Sequence, residues 1–146
     1  PFDVINPKTN GGKSMLVLTR QKTCKAPATM LVPIGCKAKS LAIHHVAAWC
    51  SRTASVKVTI HYASGVKVVT TLGGGHSMGD WWQASPGLAM ARRAWRGANP
   101  SCGSIGTMYT PIVSPQPNMK IDALEFHVPK EQTQMVYGLI GITALQ

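Results

Sequence analysis

The sequence predicts an all-β fold, an antiparallel sandwich or barrel, and three observations carry that reading. Short β-branched or apolar runs recur roughly every ten residues. Glycine and proline punctuate the gaps, with 14 and 10 copies in 146 residues. Hydrophobic residues make up 45% and charged residues only 14%, a balance that suits many short elements joined by turns better than long solvated helices. The length fits one domain over residues 1–146, large enough to close a core unaided.

The first strand is expected at 15–19, after the Asn10-Gly11-Gly12 turn, and the next two at 29–34 and 40–47. The fourth, at 55–62, is the clearest. Val56-Lys57-Val58-Thr59-Ile60-His61-Tyr62 puts Val, Ile and Tyr on one face and Lys, Thr and His on the other, the pattern of a half-buried antiparallel strand. Ala63-Ser64-Gly65 then turns the chain into a fifth strand at 66–72, making a hairpin. Further strands are expected at 89–95, 121–128 and 135–145, separated by Pro86-Gly87, Asn99-Pro100 and Pro115-Gln116-Pro117. Gly73-Gly74-Gly75 reads as a flexible turn, since no Lys-Ser or Lys-Thr pair follows to complete a phosphate cradle.

Fifteen Lys and Arg against five Asp and Glu give a net charge of +10. That sign suits a polyanion, whether nucleic acid, anionic membrane or acidic polysaccharide. The cations are scattered and form no basic tail. Neither an amphipathic basic helix nor the aromatic stripe of an RNA-recognition sheet occurs, so membrane and nucleic acid are not the favoured partners. Cys24, Cys36, Cys50 and Cys102 lack C-x-x-C spacing, which argues against a zinc ribbon or redox site and leaves three disulfide pairings open. The chain begins at Pro1 without a signal-peptide segment and reads as a domain excised from a larger protein.

Catalytic signatures are absent. A glycosidase needs two facing carboxylates, and Asp122 and Glu125, three apart on an expected strand, alternate to opposite faces. No nucleophile elbow or metalloprotease helix occurs, and no catalytic residue or metal ligand is assigned. His44 and His45 are neighbours on a strand, so one faces inward and one outward.

Recognition is better represented. Gly79-Asp80-Trp81-Trp82 and Arg92-Arg93-Ala94-Trp95-Arg96-Gly97-Ala98-Asn99-Pro100 place three of the four tryptophans beside several arginines. Indole offers a flat apolar face for a sugar ring or a cation, and guanidinium a planar fork for carboxylate or sulfate. If the segment is extended, Trp81 and Trp82 point to opposite sides, one into the core and one to solvent. Trp49, at a strand end next to Cys50, is expected in the core, and Trp95 is open to either role. The candidate ligand contacts are stacking by Trp81 or Trp82, hydrogen bonds from Asp80, His76 and Asn99, and charge-assisted bonds from Arg52, Arg92 and Arg96.

In their order, Ala48-Trp49-Cys50, Ile60-His61-Tyr62-Ala63-Ser64-Gly65, Gly79-Asp80-Trp81-Trp82 and Ala94-Trp95-Arg96-Gly97-Ala98-Asn99-Pro100 resemble the accessory β-sandwich modules of bacterial glycoside hydrolases. The opening, Phe2 to Pro7 with Asn10 to Ser14, is also similar, as is Ile121-Asp122-Ala123-Leu124-Glu125-Phe126. Ile112-Val113-Ser114-Pro115-Gln116-Pro117 departs from those modules, which carry an aromatic and Asn-Pro-x-Pro there, so no contact is transferred to this turn. The resemblance implies a galactose-binding-like jelly roll. It further implies a non-catalytic, carbohydrate-binding role, in which a covalently linked catalytic domain is held to polysaccharide outside the cell. The positive charge tilts the ligand toward uronate or sulfated glycans. No cofactor is expected, apart from a structural calcium considered near Asp3, Asn6 and Asn10. Two rivals remain: an interdomain module that binds no glycan, and a general polyanion or nucleic-acid binder.

Overall fold

A computed structural model describes residues 6–83 and 88–146. Nine strands form two antiparallel sheets packed face to face: β1 (Leu16–Thr19), β2 (Thr29–Cys36), β3 (Ser40–Ala48), β4 (Ser55–Tyr62), β5 (Lys67–Gly73), β6 (Arg92–Asn99), β7 (Cys102–Val113), β8 (Ile121–His127) and β9 (Val136–Leu145). One sheet runs β1-β9-β3-β7-β6 and the other β2-β8-β4-β5. The expected β-sandwich is the fold observed. Helical structure among the described residues is limited to short 3-10 turns, and no helix is long and apolar enough to cross a membrane.

The alternation read in 55–62 holds. Val56, Val58, Ile60 and Tyr62 are buried while Lys57, Thr59 and His61 face outward, and β4 pairs with β5 from Ser55↔Gly73 to His61↔Lys67. Strand β7 was not anticipated. Its Gly, Ser and Pro residues break any period-2 pattern, yet it is the longest strand because β3 and β6 hydrogen-bond to it from either side. Tertiary pairing here outweighs local propensity. The strand expected at 89–95 is displaced to Arg92–Asn99 for the same reason.

Leu18, Leu41, Ile43, Leu139 and Tyr137 of one sheet meet Val58, Ile60, Leu72, Leu124 and Phe126 of the other in one continuous core. Its centre is a stack across the sheets. The His45 ring lies 5.5 Å from Tyr137, and Tyr137 lies 6.1 Å from Phe126, at 26° and 24° respectively. Phe126 and Tyr137 supply the large apolar area.

His45 is the polar member of that stack, and its partners fix its tautomer. Thr110 Oγ1 donates to the Ser77 carbonyl, so its single proton is committed. It must then accept at 2.9 Å from His45 Nε2, which carries the ring proton. Nδ1 is left buried without a partner. Burial, reinforced by the neighbouring His44, lowers the His45 pKa to about 3. The unfolded chain protonates this imidazole near 6.5, so it binds the extra proton between about pH 6.5 and 3, and stability falls as pH drops through that window. Expected at pH 5 is a loss of about 2 kcal/mol relative to pH 8 from this one group. Urea denaturation across pH 5 to 8 should show this slope in the native protein and a flatter one in His45→Gln.

Candidate functional site

Antiparallel pairing gathers the β1–β2, β3–β4, β5–β6, β6–β7 and β8–β9 connections at one end of the sandwich. The terminal pairs Thr19↔Val136, Ala48↔Val136, Ser55↔Gly73 and Asn99↔Cys102 all lie there. Cross-links tie these loops together: Arg20 Nε donates to the Val128 carbonyl at 2.7 Å and Gln132 Nε2 to the Thr53 carbonyl at 3.0 Å.

The β5–β6 connection is the most structured of them. The triple glycine expected to be flexible is instead tightly specified. Gly75 takes φ +73°, and a Cβ at Gly74 would lie 1.9 Å from the Ser51 carbonyl oxygen. Only glycine lets the 73–75 and 51–54 backbones approach this closely, and Gly74 N–H donates to the Ala54 carbonyl at 2.8 Å. The Gly73 carbonyl then accepts from His76, Ser77 and Met78, and the Ser77 hydroxyl accepts from Gly73 N–H. Met78 is fully buried.

The chain emerges from the core at Asp80, which bridges to Ala47 at the end of β3. One carboxylate oxygen accepts from Cys50 N–H at 3.2 Å and the other from Trp82 N–H at 3.0 Å. Asp80 therefore fixes two segments thirty residues apart and starts the 3-10 turn Trp81–Gln83. The turn overrides the extended conformation assumed from sequence, so Trp81 and Trp82 do not divide between core and solvent. They meet edge to face, centroids 5.3 Å apart at 82°, with Trp81 half-buried and Trp82 55% exposed.

Trp49 corrects a second expectation. It is not in the core but 65% exposed, at φ +52°, the one non-glycine residue with positive φ among those described. Trp49, Trp81 and Trp82, with Ala48, Cys50, Ser51 and Asp80, line an open concavity of about 820 Å³. The sequence showed the Ala48-Trp49-Cys50 segment, but a left-handed backbone at a tryptophan is rare and has no local signature in the residue types around it.

The remaining predicted contacts are dispersed. Arg52 and His76 are exposed on adjoining loops, the Arg52 stem lying 3.5 Å from where a Gly75 Cβ would sit. Arg92 curls back on its own segment, with Nη1 donating to the Ala91 carbonyl at 3.2 Å and reaching those of Leu88 and Ala89. Asn99 accepts from Ser101 N–H at 2.9 Å and shapes the β6–β7 turn. Arg96 is exposed on β6, outside the concavity. Trp95 is 52% exposed and borders a second depression.

Burial, with Asp80 beside it, raises the Cys50 pKa to about 11, holding the thiol protonated. All four cysteines are free. Asp122 and Glu125 do not fall on opposite faces as alternation implied. Register shifts at Pro33/Cys36 and His61/Tyr62 bring both to the border of one groove on the four-stranded sheet. Each is paired there, Glu125 with His61 at 3.0 Å and Asp122 with Lys120 at 3.4 Å. Among the described residues no three His, Cys, Asp or Glu are placed to hold a metal ion. Asp3, part of the calcium expectation, lies outside them, as do Phe2 to Ile5 and the Pro86-Gly87 turn. Asn6 and Asn10 are engaged in their own turn, with Lys8 N–H and the Lys13 carbonyl.

Comparison with protein-family models, curated proteins and solved structures finds no match for this chain.

The loop architecture gives two expected outcomes. Gly74→Ala forces two backbones apart and should cost about 1–3 kcal/mol in denaturant unfolding. Asp80→Ala frees two N–H groups and should cost roughly 1–2 kcal/mol, with a change in tryptophan emission that reports loosening of the Trp81–Trp82 pair.

Proposed function

We propose that this domain is a non-catalytic carbohydrate-binding module whose ligand stacks in the concavity walled by Trp49, Trp81 and Trp82. The observation that carries this reading is Trp49. A left-handed backbone costs a bulky residue about 1–2 kcal/mol, and an indole left 65% exposed regains little of it by burial. Strain and exposure on the largest apolar side chain, with a second exposed indole, Trp82, lining the same concavity, favour a ligand. Flat, half-hydrated rings with few rotatable bonds suit the C–H faces of pyranose rings.

Two further facts support it. The segments that resemble accessory modules, Ala48-Trp49-Cys50 and Gly79-Asp80-Trp81-Trp82, are distant in sequence and meet at this concavity. The strand order β1-β9-β3-β7 against β2-β8-β4-β5 is that expected of a jelly roll of two Greek keys, with β6 added at one edge. Among the described residues lining the concavity Asp80 is the one carboxylate, and both its oxygens accept from backbone N–H groups, which supports binding over acid–base chemistry there. In this reading Asp80 positions the rings, and Arg52 and His76 supply rim contacts. By the same resemblance, the module tethers a linked, exported carbohydrate-active enzyme to its polysaccharide.

Affinity electrophoresis in gels containing neutral and acidic polysaccharides tests the proposal. The native protein should be retarded by at least one glycan, and Trp49→Ala or Trp82→Ala should weaken that binding about tenfold or more while leaving stability within roughly 0.5 kcal/mol. No retardation in any gel would favour an interdomain role. Binding to DNA and heparin alike, lost in moderate salt and indifferent to both substitutions, would replace the reading with general polyanion binding.

A further inference from the structure

The concavity does not end at Trp49. The same residue, with Ser51, also borders a neighbouring hollow of about 460 Å³ whose other wall is the β8–β9 loop. Its lining differs in kind. Where Trp81 and Trp82 wall the first space, the second is walled by Ser51, Thr53, Ser55, Glu131, Thr133 and Gln134, residues that bear hydroxyl, amide and carboxylate groups.

The loop is anchored on two sides. Gln132 Nε2 donates to the Thr53 carbonyl at 3.0 Å, Thr19 Oγ1 donates to the Met135 carbonyl at 2.7 Å, and Gln21 Nε2 donates to the Gln134 carbonyl. Met135 itself is buried in the core. The backbone is thereby fixed, whereas Glu131, Thr133 and Gln134 are exposed and their side chains make no hydrogen bond or ion pair with the described residues. An anchored loop confines the ordering cost of a ligand contact to the side chains that make it.

The charge of the lining is opposite to that of the chain. Neither hollow is lined by a lysine or an arginine, and each has one carboxylate, Asp80 in the first and Glu131 in the second. Arg52 and Lys130, although next in sequence to lining residues, line neither, and the Arg52 stem lies beside Gly75 instead. A uronate or sulfate seated here would meet like charge. A sugar hydroxyl, which both donates and accepts, can donate to the carboxylate and exchange either role with the amide and the threonine.

We propose that the β8–β9 loop forms a second sugar subsite beyond Trp49, and that the glycan is neutral. One sugar stacks in the Trp49–Trp82 concavity, and the next along the chain sets its hydroxyls on Glu131, Thr133 and Gln134. This rests on the carbohydrate reading above and deepens it, against the acidic ligand that net charge alone suggested.

Affinity electrophoresis in gels of galactan, glucomannan, arabinoxylan and polygalacturonate, each at low and high salt, tests the subsite with the native protein, Trp82→Ala, Glu131→Gln and Gln134→Ala. The two loop substitutions alter exposed side chains and should leave the melting temperature unmoved. Expected is retardation by at least one neutral glycan that persists at high salt and is weakened about tenfold by Glu131→Gln, by Gln134→Ala and by Trp82→Ala. Both loop variants binding like the native protein while Trp82→Ala binds weakly overturns the subsite and leaves the concavity intact. Retardation by polygalacturonate alone, strengthened by Glu131→Gln because a like charge is removed, overturns the neutral ligand. Retardation indifferent to all three substitutions, or none in any gel, overturns the carbohydrate reading at this site and the subsite with it.

Discussion

The loop end of this sandwich that carries Trp49, Trp81 and Trp82 depends on how one segment, residues 73–82, is threaded into the core. Gly73 gathers three backbone N–H groups, Ser77 offers its carbonyl to Thr110, and Met78 is buried between the sheets before Asp80 releases the chain to solvent. A loop anchored in this way cannot swing independently of the fold. The two indoles that follow it are consequently presented by the core. Their placement is set by the same packing that joins the sheets, through Thr110 to His45 and from His45 to Tyr137 and Phe126.

That coupling explains a choice that looks wasteful. A histidine at the centre of an apolar stack leaves one ring nitrogen unsatisfied, a cost that a leucine would avoid. What the imidazole supplies is direction. Its single N–H selects the Thr110 hydroxyl, whose proton in turn selects the Ser77 carbonyl, and the register of the β5–β6 segment follows. Hydrophobic packing is tolerant of small displacements, and a chain of hydrogen bonds is not. The bonded chain therefore runs from the core stack to Ser77, three residues before Asp80.

Much of the fold was legible because its signals are local. Strand β4 alternates, its hairpin has a Gly-containing turn, and each buried face could be assigned residue by residue. Strand β7 was not legible, because Cys102 to Val113 contains glycines and a proline that suit a strand only between two partners. The site divided in the same way. Gly79-Asp80-Trp81-Trp82 stood out by composition, and its two indoles do border one concavity. Trp49 was placed in the core because a strand end beside a cysteine is usually buried, and the left-handed backbone that turns it out to solvent is not encoded in the residue types of that segment. Arg92 and Asn99 looked like ligand contacts by type, but each is bound to nearby backbone.

The charge and the aromatics then take separate roles. A net charge of +10 spread over loops and strands suits polyanions in general without marking one place on the surface, and such a field is screened within about 8 Å at physiological ionic strength. The rings act only in contact, and contact is where the strain has been placed. Trp49 is both the described non-glycine residue with a left-handed backbone and the most exposed tryptophan. Close by, the 51–54 and 73–75 backbones meet at Gly74, and Asp80 accepts from Cys50 N–H. The backbone approach at Gly74, the carboxylate bridge from Asp80 and the left-handed Trp49 thus lie side by side, next to the concavity that Trp49, Trp81 and Trp82 line.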